Sequence, residues 1–119
     1  MGENFNIINK TKSTLPHVPF LKIKDFALGK NYSLSLVFVG KKLSRELNYT
    51  YRKKDKPANI LSFSLDKNVG EIFICPKIFT FTEKETSFLF IHGLLHLKGY
   101  RHGSRMEDAE IKLQKQFNL

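Results

Sequence analysis

The sequence has few of the residues that cross-link a chain and no long run that would anchor it in a membrane. Of its 119 residues, one is cysteine and none is tryptophan. A single cysteine excludes an internal disulfide, which fits the reducing cytoplasm. The longest apolar run is too short to span a bilayer, and the N-terminus lacks the apolar segment of a signal peptide. We therefore expect a cytoplasmic protein with no membrane partner.

Acidic residues are scarce relative to basic ones. The chain has 20 Lys and Arg against 11 Asp and Glu, which gives a formal net charge of +9. Such a balance indicates a polyanionic partner. The excess is concentrated between Lys41 and Lys56, where Tyr49 and Tyr51 lie among the cations. This segment is either a solvated face or a groove for single-stranded nucleic acid, in which cations hold phosphates and rings stack on bases.

Histidine is also rare, yet three of the four histidines lie close together. No charged residue occurs from Ser87 to Leu97, so a helix in this stretch would be buried. His92 and His96 are four residues apart, which puts both rings on one helical face. Gly99 can end the helix in the left-handed conformation and return the chain toward the site. Together with His102 they predict a metal site, and the softness of imidazole favours one Zn²⁺ per chain, although Ni²⁺ or Cu²⁺ would also fit.

The fourth ligand decides whether such a site is catalytic or structural. Catalytic zinc keeps one coordination position for water, whereas structural zinc is closed by protein side chains. Cys75 could close this site, so both forms stay open, with the open one preferred. The histidine spacing matches that of long zinc-protease motifs, but Gly93 stands where those proteases have their glutamate base. We therefore discount peptidase activity.

The first half of the chain alternates strand and helix patterns. A short strand is predicted from Asn4 to Asn9, and a helix from the segment Ser13-Thr14-Leu15-Pro16 through Phe26 or Ala27, closed by Gly29. The apolar run 34–39 predicts a strand that ends at Gly40. The stripe of Leu43, Leu47 and Tyr51 predicts a helix from Lys41 to Tyr51.

The second half predicts an antiparallel hairpin followed by two helices. Its strands are 60–65 and 71–75, joined by turn residues 66–68. Thr82 and Ser104 each begin a capping-box pattern, which places one helix start on either side of the histidines. The fold class that follows is α+β, with a small mixed sheet packed against helices in a single compact domain. The metal site is predicted to lie at the C-terminal end of a buried central helix.

The segment from His92 to His102, His-Gly-Leu-Leu-His-Leu-Lys-Gly-Tyr-Arg-His, resembles the signature of the YbeY family of metal-dependent, single-strand-specific endoribonucleases. Further blocks follow that family's order and spacing at residues 47–48, 51–57, 60–63 and 70–72. The matched blocks together cover residues 43–116. The resemblance implies a single YbeY-like domain over residues 1–119.

The resemblance also implies roles for individual residues. His92, His96 and His102 would bind catalytic zinc, and Arg52 would be the active-site arginine. The substrate would be single-stranded rRNA, with a role in maturation of the 3′ end of small-subunit rRNA and in ribosome quality control, in association with the ribosome or its small subunit. The expected RNA-binding residues are Lys53, Lys54, Lys56 and Arg101.

One departure from the family pattern affects the metal site. The family usually has an aspartate at the position of Arg101, so a carboxylate that orients a ligand must come from elsewhere. Glu71 and Asp108 are the candidates. Two other functions remain open, a ribosome-associated RNA-binding assembly factor with structural zinc and a metal-dependent hydrolase of a small substrate. The second of these predicts that the basic segment lies away from the histidines.

Overall fold

A four-stranded sheet organises the chain in the computed structural model, which describes residues 4–76 and 81–119. In chain order the elements are β1 (Phe5–Asn9), α1 (Phe20–Leu28), β2 (Ser33–Phe38), α2 (Lys41–Arg52), β3 (Ile60–Asp66), β4 (Val69–Ile74), α3 (Glu83–Lys98) and α4 (Ser104–Gln116). The α+β class with a mixed sheet is therefore confirmed.

The strand order in the sheet is β1-β2-β4-β3. β1 and β4 each run parallel to β2, whereas β3 runs antiparallel to β4 and completes the predicted hairpin. Asn68, in the turn, takes a φ of 60°, a left-handed conformation that asparagine tolerates better than most residues. This hairpin fixes the edge of the sheet that α3 covers.

The core lies between one face of the sheet and the helices α1, α3 and α4. Alternate residues of β2 and β4 point into it, among them Leu36 and Ile72, which are fully buried. α3 packs against β3, β4, α1 and α4, and its residues Phe90, Ile91 and Leu94 have no exposed surface. The prediction of a buried central helix is confirmed, because an apolar helix needs partners on several sides.

The start of α1 differs from the prediction. The helix begins at Phe20, directly after Pro19, and not in the segment that starts at Ser13. A proline disfavours the helical conformation of the residue before it, so the second proline delays the start. Side-chain hydrogen bonds stabilise a turn instead, since Asn9 Oδ1 accepts from the Thr11 amide at 2.9 Å and Thr11 Oγ1 accepts from the Ser13 amide at 3.2 Å.

Of the two predicted capping boxes, only the first supplies a cap. Thr82 Oγ1 accepts a hydrogen bond from the Glu85 amide at 3.2 Å at the start of α3. At the start of α4, Ser104 is the first helical residue and Gly103 occupies the cap position without a side-chain hydrogen bond. Gly103 has a φ of 148°, a backbone conformation that glycine adopts easily, and it joins the loop that contains His102 to α4. In the described ranges, no helix is both long and apolar enough to cross a membrane.

Candidate metal centre

The last turns of α3 bring the Nε2 atoms of His92 and His96 together, with the two rings nearly perpendicular. Their Nε2 atoms are 3.1 Å apart. Gly99 ends the helix with a φ of 106°, and the chain then returns so that His102 lies 5.2 Å from His92 and 4.8 Å from His96 between ring centroids. The three predicted ligands are therefore brought together, with one ring nitrogen from each within 4.8 Å of the others.

The other ring nitrogens of the two helical histidines are held by oxygen atoms. His92 Nδ1 lies 3.1 Å from Glu110 Oε2, and His96 Nδ1 lies 3.1 Å from the carbonyl oxygen of Tyr100. An ionised carboxylate and a carbonyl only accept hydrogen bonds, so each Nδ1 donates and each Nε2 carries a lone pair. Orientation of this kind is usual for histidines that bind metals.

Two facing lone pairs create a site that suits a cation. Zn–N bonds of about 2.0–2.1 Å in a tetrahedral site separate two ligand nitrogens by about 3.3–3.4 Å. The observed 3.1 Å is close to that separation. A cation shared by the nitrogens replaces lone-pair repulsion with attraction. The three-histidine group can therefore hold a metal ion.

The electrostatics of the site favour neutral imidazole at His96. Burial is the main cause that lowers the pKa of this ring below its ordinary value of 6.5, although the Tyr100 carbonyl acts in the opposite direction. A positive charge on His92 or His102, when either ring is protonated, and the charge of Arg52 lower the pKa of His96 further. A neutral ring is the form that binds a metal, so the lowered pKa makes His96 suitable as a metal ligand.

The orienting carboxylate is Glu110, whereas the sequence predicted Glu71 or Asp108. Glu110 is only 8% exposed and lies on the face of α4 that packs against α3. Asp108 lies two residues away on the helix and is exposed. Glu71 lies on β4 and alternates with the core residue Ile72, so it points to the other face of the sheet.

The spacing of residues in α4 could have identified Glu110 from the sequence as a residue of the buried helix face. The buried residues of this helix are Met106, Glu110 and Leu113. Their spacing of four and three residues is that of a single helical face. A carboxylate within an otherwise apolar face has to pair with a hydrogen-bond donor or a cation, and the histidines were among the candidates in the sequence.

The alternative of a site closed by Cys75 does not agree with the structure. Cys75 is buried in a separate apolar cluster with Val37 and Val39, on the other side of the sheet from the main core. Burial raises the pKa of its thiol, which disfavours the thiolate that metals bind. Within residues 4–76 and 81–119, the three histidines alone form a group with ligand atoms clustered closely enough for a metal.

Arg52 lies in the last turn of α2 and is exposed. Its positive charge is the smallest of the causes that lower the pKa of His96. The exposed residues Lys53, Lys54 and Lys56 follow Arg52 in the sequence.

The backbone of the segment that carries these lysines is held against α2, since Asn48 Nδ2 donates to the Lys56 carbonyl at 2.8 Å. Ser44 adds a second anchor, with Oγ donating to the Ala58 carbonyl at 2.6 Å and accepting from the Ala58 amide at 2.9 Å.

A cationic cavity of about 630 Å³ lies beside His102 in the loop between α3 and α4. Its charged side chains are Lys98, Arg101 and Arg105. Arg101, which the sequence predicted to bind RNA, thus lines the same cavity as His102, one of the three candidate metal ligands. Arg105 was missed by sequence reasoning, because its distance from the histidines depends on how the loop turns at Gly103.

Comparison with known proteins shows which family the chain belongs to. The family model described as Endoribonuclease YbeY matches residues 5–119. The chain belongs to the YbeY family. A YbeY endoribonuclease of Ehrlichia canis is 38% identical over 92% of this chain and 83% of its own length. One from Phytoplasma australiense is 32% identical and covers 95% of this chain and 94% of its own.

A solved structure has the same fold as this chain. The solution structure of a Thermotoga maritima protein matches with a TM-score of 0.57 at 23% identity, covering 96% of this chain and 91% of that one. At that identity the likeness concerns the fold alone.

Proposed function

We propose that this chain is a zinc-dependent endoribonuclease that cleaves single-stranded RNA. Its role would be in maturation of the 3′ end of small-subunit rRNA and in ribosome quality control, carried by a single domain over residues 1–119. The observation that carries the proposal is the pair of Nε2 atoms facing each other 3.1 Å apart within a three-histidine group. The family relationship supplies the reaction, since the relatives are named endoribonucleases.

Zinc is the metal that suits this donor set best. Three imidazole nitrogens at the end of one helix and in the following loop leave a coordination position free, which is the pattern of catalytic zinc. When bound, Zn²⁺ supplies a Lewis acid that activates water and polarises the scissile phosphate. Glu110 keeps the His92 ring in the orientation that this binding needs.

Arg52 is proposed to bind the reacting phosphate. Cleavage of a phosphodiester builds negative charge on the nonbridging oxygens, and a guanidinium can hold two of them with parallel hydrogen bonds. The positive charge of Arg52 is the smallest of the causes that lower the pKa of His96. This contribution favours the nuclease over the hydrolase of a small substrate, which requires the basic segment to lie away from the histidines.

The RNA strand is proposed to run along the exposed cations of both basic stretches. Lys53, Lys54 and Lys56 follow Arg52, and Arg101 lines the cationic cavity at His102. Contacts of this kind bind phosphates without reading the sequence, so a protein partner or the ribosome would direct the cut. A cytoplasmic location, where ribosomes and their RNA occur, is part of the proposal.

An assembly factor with structural zinc is the second candidate, and variants separate it from the nuclease. His96→Ala should remove both bound zinc and cleavage of a single-stranded RNA. Arg52→Ala should keep zinc and lower cleavage by about 10²–10³-fold, the usual cost of removing one donor to a developing anion. Zinc content is measured by elemental analysis, and cleavage by gel electrophoresis of labelled RNA.

Lys22→Ala is the control, because Lys22 is an exposed cation on α1 and lies outside both basic stretches. This variant should cleave normally. Cleavage by a verified zinc-free protein would contradict the proposal. Tight RNA binding with zinc present and no cleavage in the wild type would favour the assembly factor.

A further inference from the structure

A groove of about 430 Å³ lies beside the metal site, between α3 and α4. His92 and His102 form its end, and Phe88, Met106 and Ile111 give it apolar walls. Phe88 and Ile111 remain 47% and 49% exposed. Large apolar side chains that line a groove next to a reactive centre are typical of a ligand subsite.

The Phe88 ring is oriented to stack on a flat partner. It lies nearly parallel to the His92 ring, with an angle of 22° between the planes and 6.2 Å between the centroids. The side chains of Leu89, Phe90 and Ile91 directly after it are buried in the core. Phe88 is thus the aromatic residue that α3 leaves at the surface, one helical turn before His92.

The charges on the two sides of the histidines are opposite. The cavity on one side of His102 carries Lys98, Arg101 and Arg105. The charged side chains of the groove on the other side are Glu107 and Glu110. The cationic side attracts phosphates more strongly than the side with the two carboxylates, so the groove is better suited to the uncharged part of a nucleotide.

We propose that the groove holds one unpaired nucleobase of the RNA substrate, stacked on Phe88, while the adjoining phosphates bind in the cationic cavity. This inference rests on the proposed nuclease function and names Phe88 as a residue that determines specificity. A base can enter the groove only when it leaves its helix, because bases in a duplex are already stacked and paired. The groove therefore gives a physical reason for selecting single-stranded RNA.

The test compares the removal of two exposed rings. Phe88→Leu and Phe26→Leu each replace a half-exposed phenylalanine by an apolar residue, but Phe26 lies on α1 and packs against Phe117. The zinc-loaded proteins are mixed with single-stranded oligouridylate that carries one 2-aminopurine, whose fluorescence falls when it stacks. Phe88→Leu should weaken binding of the oligonucleotide about tenfold, the usual loss for one aromatic stack. It should also reduce the quenching of the 2-aminopurine fluorescence. Phe26→Leu should match the wild type, and Phe88→Tyr should retain the quenching.

A second measurement uses cleavage. In a series of RNAs, one nucleotide at a time lacks its base, and kcat/KM is measured for each. For the wild type, one position next to the cut should show a loss of about tenfold, and this loss should vanish in Phe88→Leu. Equal quenching in wild type and Phe88→Leu, or an undiminished loss at that position in the variant, would overturn the inference. Failure of the wild type to cleave any RNA would count against the nuclease function alone, because the quenching experiment does not need cleavage.

Discussion

Glu110 orients the imidazole ring of His92 through a hydrogen bond. Its carboxylate fixes which ring nitrogen carries the hydrogen, and the burial of Glu110 and partial burial of His92 limit rotation of the ring. Tyr100 does the same for His96 through a backbone carbonyl. At the scale of single residues, protein groups thus orient the two helical histidines.

Replacing Glu110 by glutamine should weaken zinc binding about 10–100-fold, the usual cost of losing an orienting partner. The amide has nearly the same shape, so the helices should stay folded. Competition with a chromophoric chelator measures the affinity, and circular dichroism checks the fold. Asp108→Asn is the control, because Asp108 is exposed on the same helix. Equal zinc affinity in Glu110→Gln and the wild type would show that the carboxylate has no orienting role.

The lowered pKa of His96 predicts how the zinc-free protein responds to acid. The unfolded chain takes up a proton near pH 6.5, whereas the folded chain does so only at lower pH. Between these values the unfolded state binds more protons, so the free energy of unfolding falls as the pH falls below 6.5. Urea unfolding in the presence of chelator, at pH 7.5 and pH 5.5, measures this loss.

His96→Gln lacks the titrating ring and should lose less stability between the two pH values than the wild type. The glutamine side chain is polar and of comparable length, which limits other changes at the partly buried position. The same pH dependence in both proteins would mean that burial of His96 does not penalise its charged form.

Gly93 allows α3 to lie directly against the sheet. A side chain at this position would meet Ser62 Oγ at 2.9 Å and the Cδ1 atoms of Ile60 and Ile72 at 3.1 Å. Ser62 Oγ also donates to the Gly93 carbonyl at 3.3 Å. The residue after the first histidine is therefore fixed by packing of one element on another. The glutamate that zinc proteases carry at this position would not fit.

Gly93→Ala should lower the free energy of unfolding by about 1–2 kcal/mol, since overpacking outweighs the gain in helix propensity. The shift of α3 should also weaken zinc binding. Urea unfolding and the chelator competition measure both effects. Gly40→Ser is the control, because a Cβ at Gly40 meets no atom within 4 Å and serine is accepted at a helix start. Unchanged stability of Gly93→Ala would contradict the close-packing account.

Elements with a local signal were predictable from the sequence. The stripe in α2, the hairpin of β3 and β4, and the end of α3 at Gly99 depend on neighbouring residues, and the structure agrees with each. The pairing of β1 and β4 with β2 joins distant segments and has no local signal. The contact between Glu110 and His92 likewise depends on how α4 packs against α3, so its partners could not be assigned from spacing alone.

At the scale of the whole molecule, two separate basic stretches contribute positive charge at the histidines. Arg52 at the end of α2 acts electrostatically on His96, and the loop after α3 supplies the cations beside His102. The net charge of +9 was visible in the sequence, but its placement around the metal ligands was not. Affinity for RNA should therefore fall as salt rises, as it does for proteins that bind phosphates.

The most direct test is elemental analysis of the purified protein combined with cleavage of single-stranded RNA in the presence and absence of chelator. The central claim predicts one zinc per chain, cleavage that stops when the chelator removes the metal, and recovery when zinc is returned. Stoichiometric zinc without cleavage would contradict a catalytic role for the metal. Cleavage that persists in metal-free protein would contradict the assignment of His92, His96 and His102 as the centre of the reaction.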